Sequence, residues 1–252
     1  MEILGTVGIG AFVLVSLIVG ARLLVISMRT RRLPEFALGF GLFTLGGLDY
    51  VANLAARSDG LLGDDGRTAT MIAAMHFGGI GILAVAVFTA RVFRPQSRLA
   101  MIAVVLFAIA LIGCGIAQGV STGYLTVATR EKPAFFLRLF NILQSAIMAW
   151  TAAESLHYGS ILRRRLAIGL VDPLVADRVR LWGISASIAS ATYLLYAVGE
   201  SIGVDFLASA TGSGLVAVLG LAAAICIALA FLPPHAYQDW VKSRTQSVGL
   251  SS

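Results

Sequence analysis

Apolar residues fill this chain in long stretches separated by short segments of Arg, Asp, Gly and Pro. A helix of about 20 apolar residues crosses the roughly 30 Å hydrocarbon core of a bilayer. Hydropathy and punctuation together predict helical spans at 3–28, 34–56, 69–92, 99–119, 134–160, 175–202 and 208–232. Gly169 reads as a helix C-cap, and Asp172-Pro173 as an N-cap followed by proline at the first helical position. Pro233-Pro234 ends the last span sharply, whereas its start falls in the small, Gly-bearing segment Ala208–Gly214. The first stretch is too long for a cleaved signal and lacks a basic start, so it is expected to be retained. The pattern predicts an all-α, polytopic seven-transmembrane-helix bundle over residues 1–232, followed by a short tail, 233–252.

Composition excludes a soluble globule: of 252 residues, 58% are hydrophobic and only 13% charged. Positive charge is placed unevenly. Arg29, Arg31, Arg32, Arg91, Arg94, Arg98, Arg163, Arg164, Arg165, Arg178, Arg180, Lys242 and Arg244 fall on one side, with Arg22 able to snorkel towards it. The opposite loops hold Arg57, Arg67, Arg130 and Lys132, diluted by Asp59, Asp64, Asp65 and Glu131. Translocating positive charge is disfavoured, so the N-terminus is expected outside and the C-terminus inside a cytoplasmic (inner) membrane, in contact with lipid. The pI near 9.8 then reflects topology, and no nucleic-acid partner is implied. Cys114 and Cys226, both in apolar runs, exclude a disulfide scaffold and a thiolate cluster. The acidic segment Ser58–Gly66 lacks the Glu that a calcium loop needs at its twelfth position, and a solvated turn is the better reading.

The fifth and sixth helices are predicted to run past the membrane. The sixth, starting at Asp172-Pro173, would span about 30 residues, roughly 45 Å at 1.5 Å per residue. A basic helical hairpin from Arg163 to Trp182 is therefore expected inside the cell. It serves either as positive-inside anchoring or as the docking surface of a cytoplasmic signalling protein, with Arg163, Arg164, Arg165, Arg178 and Arg180 as contacts.

Polar groups inside hydrocarbon are costly and mark interior cavities or helix-to-helix pairs. Asp49 and Asn53 lie four apart on the second span, beside Tyr50; His76 lies on the third among Gly78, Gly79 and Gly81. On the fifth, Arg138 sits near the outer end, and Asn141, Gln144, Thr151, Glu154, Ser155 and Tyr158 form a polar stripe. On the sixth, Trp182, Ser185, Tyr193, Tyr196 and Glu200 share a face. If these faces point inward, Asp49, Tyr50, Asn53, His76, Arg138, Asn141, Gln144, Tyr193, Tyr196 and Glu200 line an outer cavity suited to a small polar or zwitterionic ligand. In the competing reading, Asp49 and Glu200 pair with Arg138 and His76 and simply join helices. A second, inner cluster holds Trp150, Glu154, His157 and Tyr158, with His157 read as interfacial. His76 and His157 lie near opposite membrane faces and cannot bracket one haem iron. No zinc pattern and no activated nucleophile is present, so no catalytic residue, metal or cofactor is expected. The glycines at 5, 8, 10, 39, 41 and 220 fit tight packing between helices, or between protomers of a homo-oligomer.

Seven spans with an outside N-terminus resemble the plan of microbial rhodopsins and receptor-type seven-helix proteins, but the last helix has no lysine for a retinal Schiff base. The segment Leu162–Gly183, with Arg91-Val-Phe-Arg-Pro95 and Arg32-Leu-Pro-Glu35, resembles uncharacterised bacterial seven-helix membrane proteins and the seven-helix input modules of some sensor kinases. Only about 18 residues follow the last helix, unlike the kinases with their own output domain. The resemblance implies a sensor or receptor-like protein that binds a ligand outside and signals through a partner. A small-solute or proton-coupled transporter, with a path through Asp49, Arg138, Glu154 and Glu200, is the alternative.

Overall fold

A segment without water around it must close its own N–H and C=O groups, and each apolar stretch does so as a helix. The computed structural model describes residues 2–58, 61–121, 135–166, 168–202 and 210–249. In order these form α1 (Glu2–Thr30), α2 (Leu33–Gly41), a π-helical segment (Leu42–Leu48), α3 (Asp49–Arg57), α4 (Asp64–Phe93), α5 (Arg98–Ser121), α6 (Phe135–Leu166), α7 (Pro173–Ile202), α8 (Ala210–Phe231) and α9 (His235–Gly249). No strand occurs among the described residues. With α2, the π segment and α3 forming one run, seven helical spans are long and apolar enough to cross a membrane. Asp59, Arg130, Glu131, Lys132 and the predicted start of the seventh span at 208 lie outside the described residues.

Successive spans touch around a ring that closes where α1 meets α8, and α4 also reaches across to α6. The bundle's exterior is apolar, as a lipid-facing surface requires: Leu99, Leu106, Ile109 and Ile116 of α5 are all more than half exposed. Inside, α4 buries Met71, Ala74, Met75, Gly78, Gly81, Ile82 and Val85, the i, i+3, i+4, i+7 repeat of one helix face. Hydroxyls join the buried faces. Thr89 and Thr151 meet at 2.8 Å between α4 and α6, and Ser145 and Ser190 each donate to the other's carbonyl, at 2.9 and 3.0 Å, between α6 and α7.

The second span departs from a plain α-helix. Over Leu42–Leu48 the turn widens, and the Asp49 N–H bonds back to the Thr44 carbonyl, five residues earlier. A wider turn needs slimmer neighbours, and glycine supplies them on both sides. A Cβ on Gly20 of α1 would come within 2.7 Å of the Phe43 backbone nitrogen, and one on Gly81 of α4 within 2.7 Å of the Leu45 nitrogen.

At the arginine-rich end, the α6–α7 turn closes as its residues predict. The Leu170 N–H bonds to the Arg165 carbonyl and the Gly169 N–H to that of Leu166, with Gly169 at φ +73, the paired bonds of a Schellman cap. The Asp172 carboxylate then accepts the Leu174 N–H at 2.8 Å, with Pro173 at the first helical position. Asp172→Ala is expected to cost about 1 kcal/mol locally. Hydrogen exchange should quicken at Leu174 in the first turn of α7 while the buried middle of the bundle is unchanged; equal protection in both proteins would show the cap to be dispensable.

The segment after Pro233-Pro234, expected only as a short tail, forms α9 and packs on α7. The Tyr237 hydroxyl donates to the Asp177 carboxylate at 2.5 Å, and burial followed by that bond pushes its pKa up, so it remains a donor. Val241 is buried, and the Arg244 guanidinium lies 5.5 Å over the Trp240 ring.

Candidate functional site

Two cavities lie one behind the other within the bundle. The polar one, about 110 Å³, lies towards the end of the bundle opposite the arginines. That volume exceeds what one water needs, and several polar groups converge on it. From the second span come Asp49, Tyr50 and Asn53; from α6, Asn141 and Gln144; from α7, Tyr193, Tyr196 and Glu200. Eight of the ten residues expected from the sequence are therefore brought together.

The remaining two face elsewhere. His76 is exposed on the bundle's exterior, its Nδ1 2.7 Å from the Ile72 carbonyl oxygen of its own helix. The Arg138 guanidinium turns to the Ser201 hydroxyl, 3.4 Å away, and to the Phe135 ring. Neither pairs with Asp49, so helix-joining ion pairs from these two residues to Asp49 are not formed. Sequence reasoning missed Arg57, Met71 and Met75, which do line the cavity. Arg57 was read as a loop charge, yet it is the last residue of α3, where its side chain can turn back over the cavity. The signal for Met71 and Met75 was present in the spacing that also carries Ala74 and Gly78, a stripe that excludes His76.

The geometry around Asp49 is specific. Asn53, one turn on, donates to its Oδ1 at 2.6 Å and to its backbone carbonyl at 3.2 Å. Gly78 of α4 backs the carboxylate: a Cβ there would come within 3.0 Å of Oδ2 and 3.4 Å of the Gln144 Nε2. Asp49 forms no ion pair among the described residues, and the charge acting on it is that of Arg57. Tyr50 and Tyr196 are hydrogen-bonded to each other. The widened turn sets this arrangement, because one extra residue per turn rotates everything that follows by about 100°.

Behind this cavity lies a smaller apolar chamber of about 50 Å³. Tyr50, Tyr193 and Ile9 line both and form the wall between them. The far side of the chamber is made by Leu42, Met148, Ile227 and the buried Trp182, whose indole nitrogen has no acceptor among the described residues. Trp182 is held edge-on by Phe88 and Phe231.

Nearer the basic end, Glu154 is gripped by Arg94 at 2.9 Å and by the Trp150 indole at 3.3 Å, while His157 and Tyr158 are exposed. The expected cluster thus separates into an ion pair and two surface residues. The Arg22 guanidinium donates to the Phe231 carbonyl at the end of α8, at 3.1 Å, a cation on a helix C-terminus. Arg163, Arg164, Arg165, Arg178 and Arg180 are all exposed around the hairpin. Cys114 and Cys226 are free, and no group of His, Cys, Asp or Glu able to hold a metal occurs among the described residues. No protein-family model, no curated protein and no solved structure matches this chain.

Proposed function

We propose that this chain is a receptor-like seven-helix protein of the cell membrane, with its N-terminus outside, that binds a small polar ligand in the outer cavity and signals to a cytoplasmic protein through the basic hairpin. One observation carries the reading. A single uninterrupted helix, Pro173–Ile202, contributes Tyr193, Tyr196 and Glu200 to the cavity at one end, and Asp177, Arg178 and Arg180 to the hairpin at the other. A rigid rod spanning both regions transmits any tilt imposed on its ligand end. The apolar chamber beside Tyr193 leaves that helix room to move.

The transporter reading calls for a polar path through Asp49, Arg138, Glu154 and Glu200. Two of these stand apart from the cavity, and the chamber behind it is apolar. The receptor reading is therefore preferred.

Spin labels at Val92 and Ile168, both exposed, test it by electron–electron distance measurements in nanodiscs. Glycine betaine, L-proline and choline, added singly, are the probes. At least one is expected to raise the thermal midpoint and to shift the label distance. A probe that stabilises the protein but leaves the distance unchanged, or that accumulates inside proteoliposomes, overturns the receptor reading.

A further inference from the structure

The charges around the cavity are unequal. Asp49 and Glu200 bring two carboxylates and Arg57 one guanidinium, leaving one net negative charge among the lining side chains. The imbalance centres on Asp49, whose side chain has Asn53 as its hydrogen-bond donor and no ion pair among the described residues. A carboxylate in a low-dielectric interior needs a positive partner, and a single amide dipole is a weak substitute for one. Three phenol rings, Tyr50, Tyr193 and Tyr196, share that lining. Aromatic faces attract cations, and several rings beside one carboxylate form the kind of surround that selects ammonium groups. The two remaining α6 side chains, Asn141 and Gln144, are neutral and buried.

We propose that the cavity is a site for a small organic cation, an ammonium or quaternary ammonium group seated between the Asp49 carboxylate and the three tyrosine rings. This assignment rests on the reading of the cavity as a ligand site and narrows it to one chemical class. The Asp49 carboxylate supplies charge, the rings supply the cation–π contact, and Asn53 fixes the carboxylate's orientation. The cavity, about 110 Å³, takes a group of trimethylammonium size rather than a long chain.

The test compares three probes of similar shape in wild-type protein reconstituted in nanodiscs at constant sodium concentration. Choline carries the cation, 3,3-dimethylbutan-1-ol is its neutral carbon isostere, and glycine betaine adds a carboxylate to the same cationic group. Calorimetry is expected to show choline binding about tenfold or more tighter than the neutral isostere, the scale of a desolvated cation–π contact with a charge-assisted one. Asp49→Asn is expected to abolish that preference. The wild-type comparison stands by itself should the variant fail to fold. Equal binding of choline and the isostere, or tightest binding by glycine betaine, overturns the cation assignment and leaves a ligand site in place. Binding by none of the three overturns both the assignment and the ligand site.

Discussion

Gly81→Val is expected to prevent α4 from seating on the second span, and Gly20→Val to do the same for α1. The Cβ of Gly81 would fall 2.7 Å from the Leu45 backbone nitrogen, and that of Gly20 2.7 Å from the Phe43 nitrogen and 2.9 Å from the Gly39 carbonyl oxygen. Backbone cannot rotate aside as a side chain can, so relief requires the helices to separate. Overpacking of this kind costs about 1–3 kcal/mol at one site, occasionally more. The two residues clasp the same widened turn from opposite sides, so the double variant is expected to lose its folded form in mild detergent. Gly10→Ala is the matched control: no atom lies within 4 Å of its Cβ position, and alanine favours a helix. Heat-aggregation midpoints after size-exclusion chromatography would show the contrast. Midpoints for Gly81→Val and Gly20→Val equal to the control's would mean that the close approach is not what holds the span.

Asp49→Asn is expected to make the protein more stable. The substitution keeps the shape of the side chain and its neighbour Asn53 while removing a charge that has no ion-pair partner among the described residues. Replacing buried charges with neutral groups of similar volume is neutral or stabilising, by roughly 1–4 kcal/mol, when the charge is poorly compensated. A higher thermal midpoint in the absence of ligand, together with loss of ligand response, would mark Asp49 as a group kept at the expense of stability, as binding residues are. A lower midpoint would instead show that the distant field of Arg57 compensates the carboxylate, and that its role is to hold helices together.

Much of the architecture was legible because the bilayer is a severe filter. Length and hydropathy placed all seven spans, and Gly169, Asp172 and Pro173 announced the α6–α7 turn residue by residue. The polar stripe of α6 also emerged where expected, since Asn141, Gln144, Thr151 and Ser155 are all buried. Legibility ended where facing depends on a neighbour. His76 reads as polar and intramembrane, but only the spacing of Met71, Met75 and Gly78 shows that it stands on the opposite face. Arg138 is one turn from Asn141, yet its length lets it reach Ser201 instead of the cavity. The widened turn over Leu42–Leu48 carries no proline or charge to announce it, because its cause lies in the contours of α1 and α4. The tail helix escaped for a similar reason: outside the membrane its residues are polar, and what anchors it is one tyrosine on a distant aspartate.

In terms of descent, the π segment is what a single inserted codon looks like after a membrane span has absorbed it. An extra residue in a continuous helix would push every later side chain onto a new face, scrambling a whole span at once. Confined to one swollen turn, the same insertion leaves α2 where it was and re-aims only the stretch from Asp49 onward. A lineage could thus have acquired an inward-facing carboxylate in one step, with the small residues of its neighbours already wide enough to accept it.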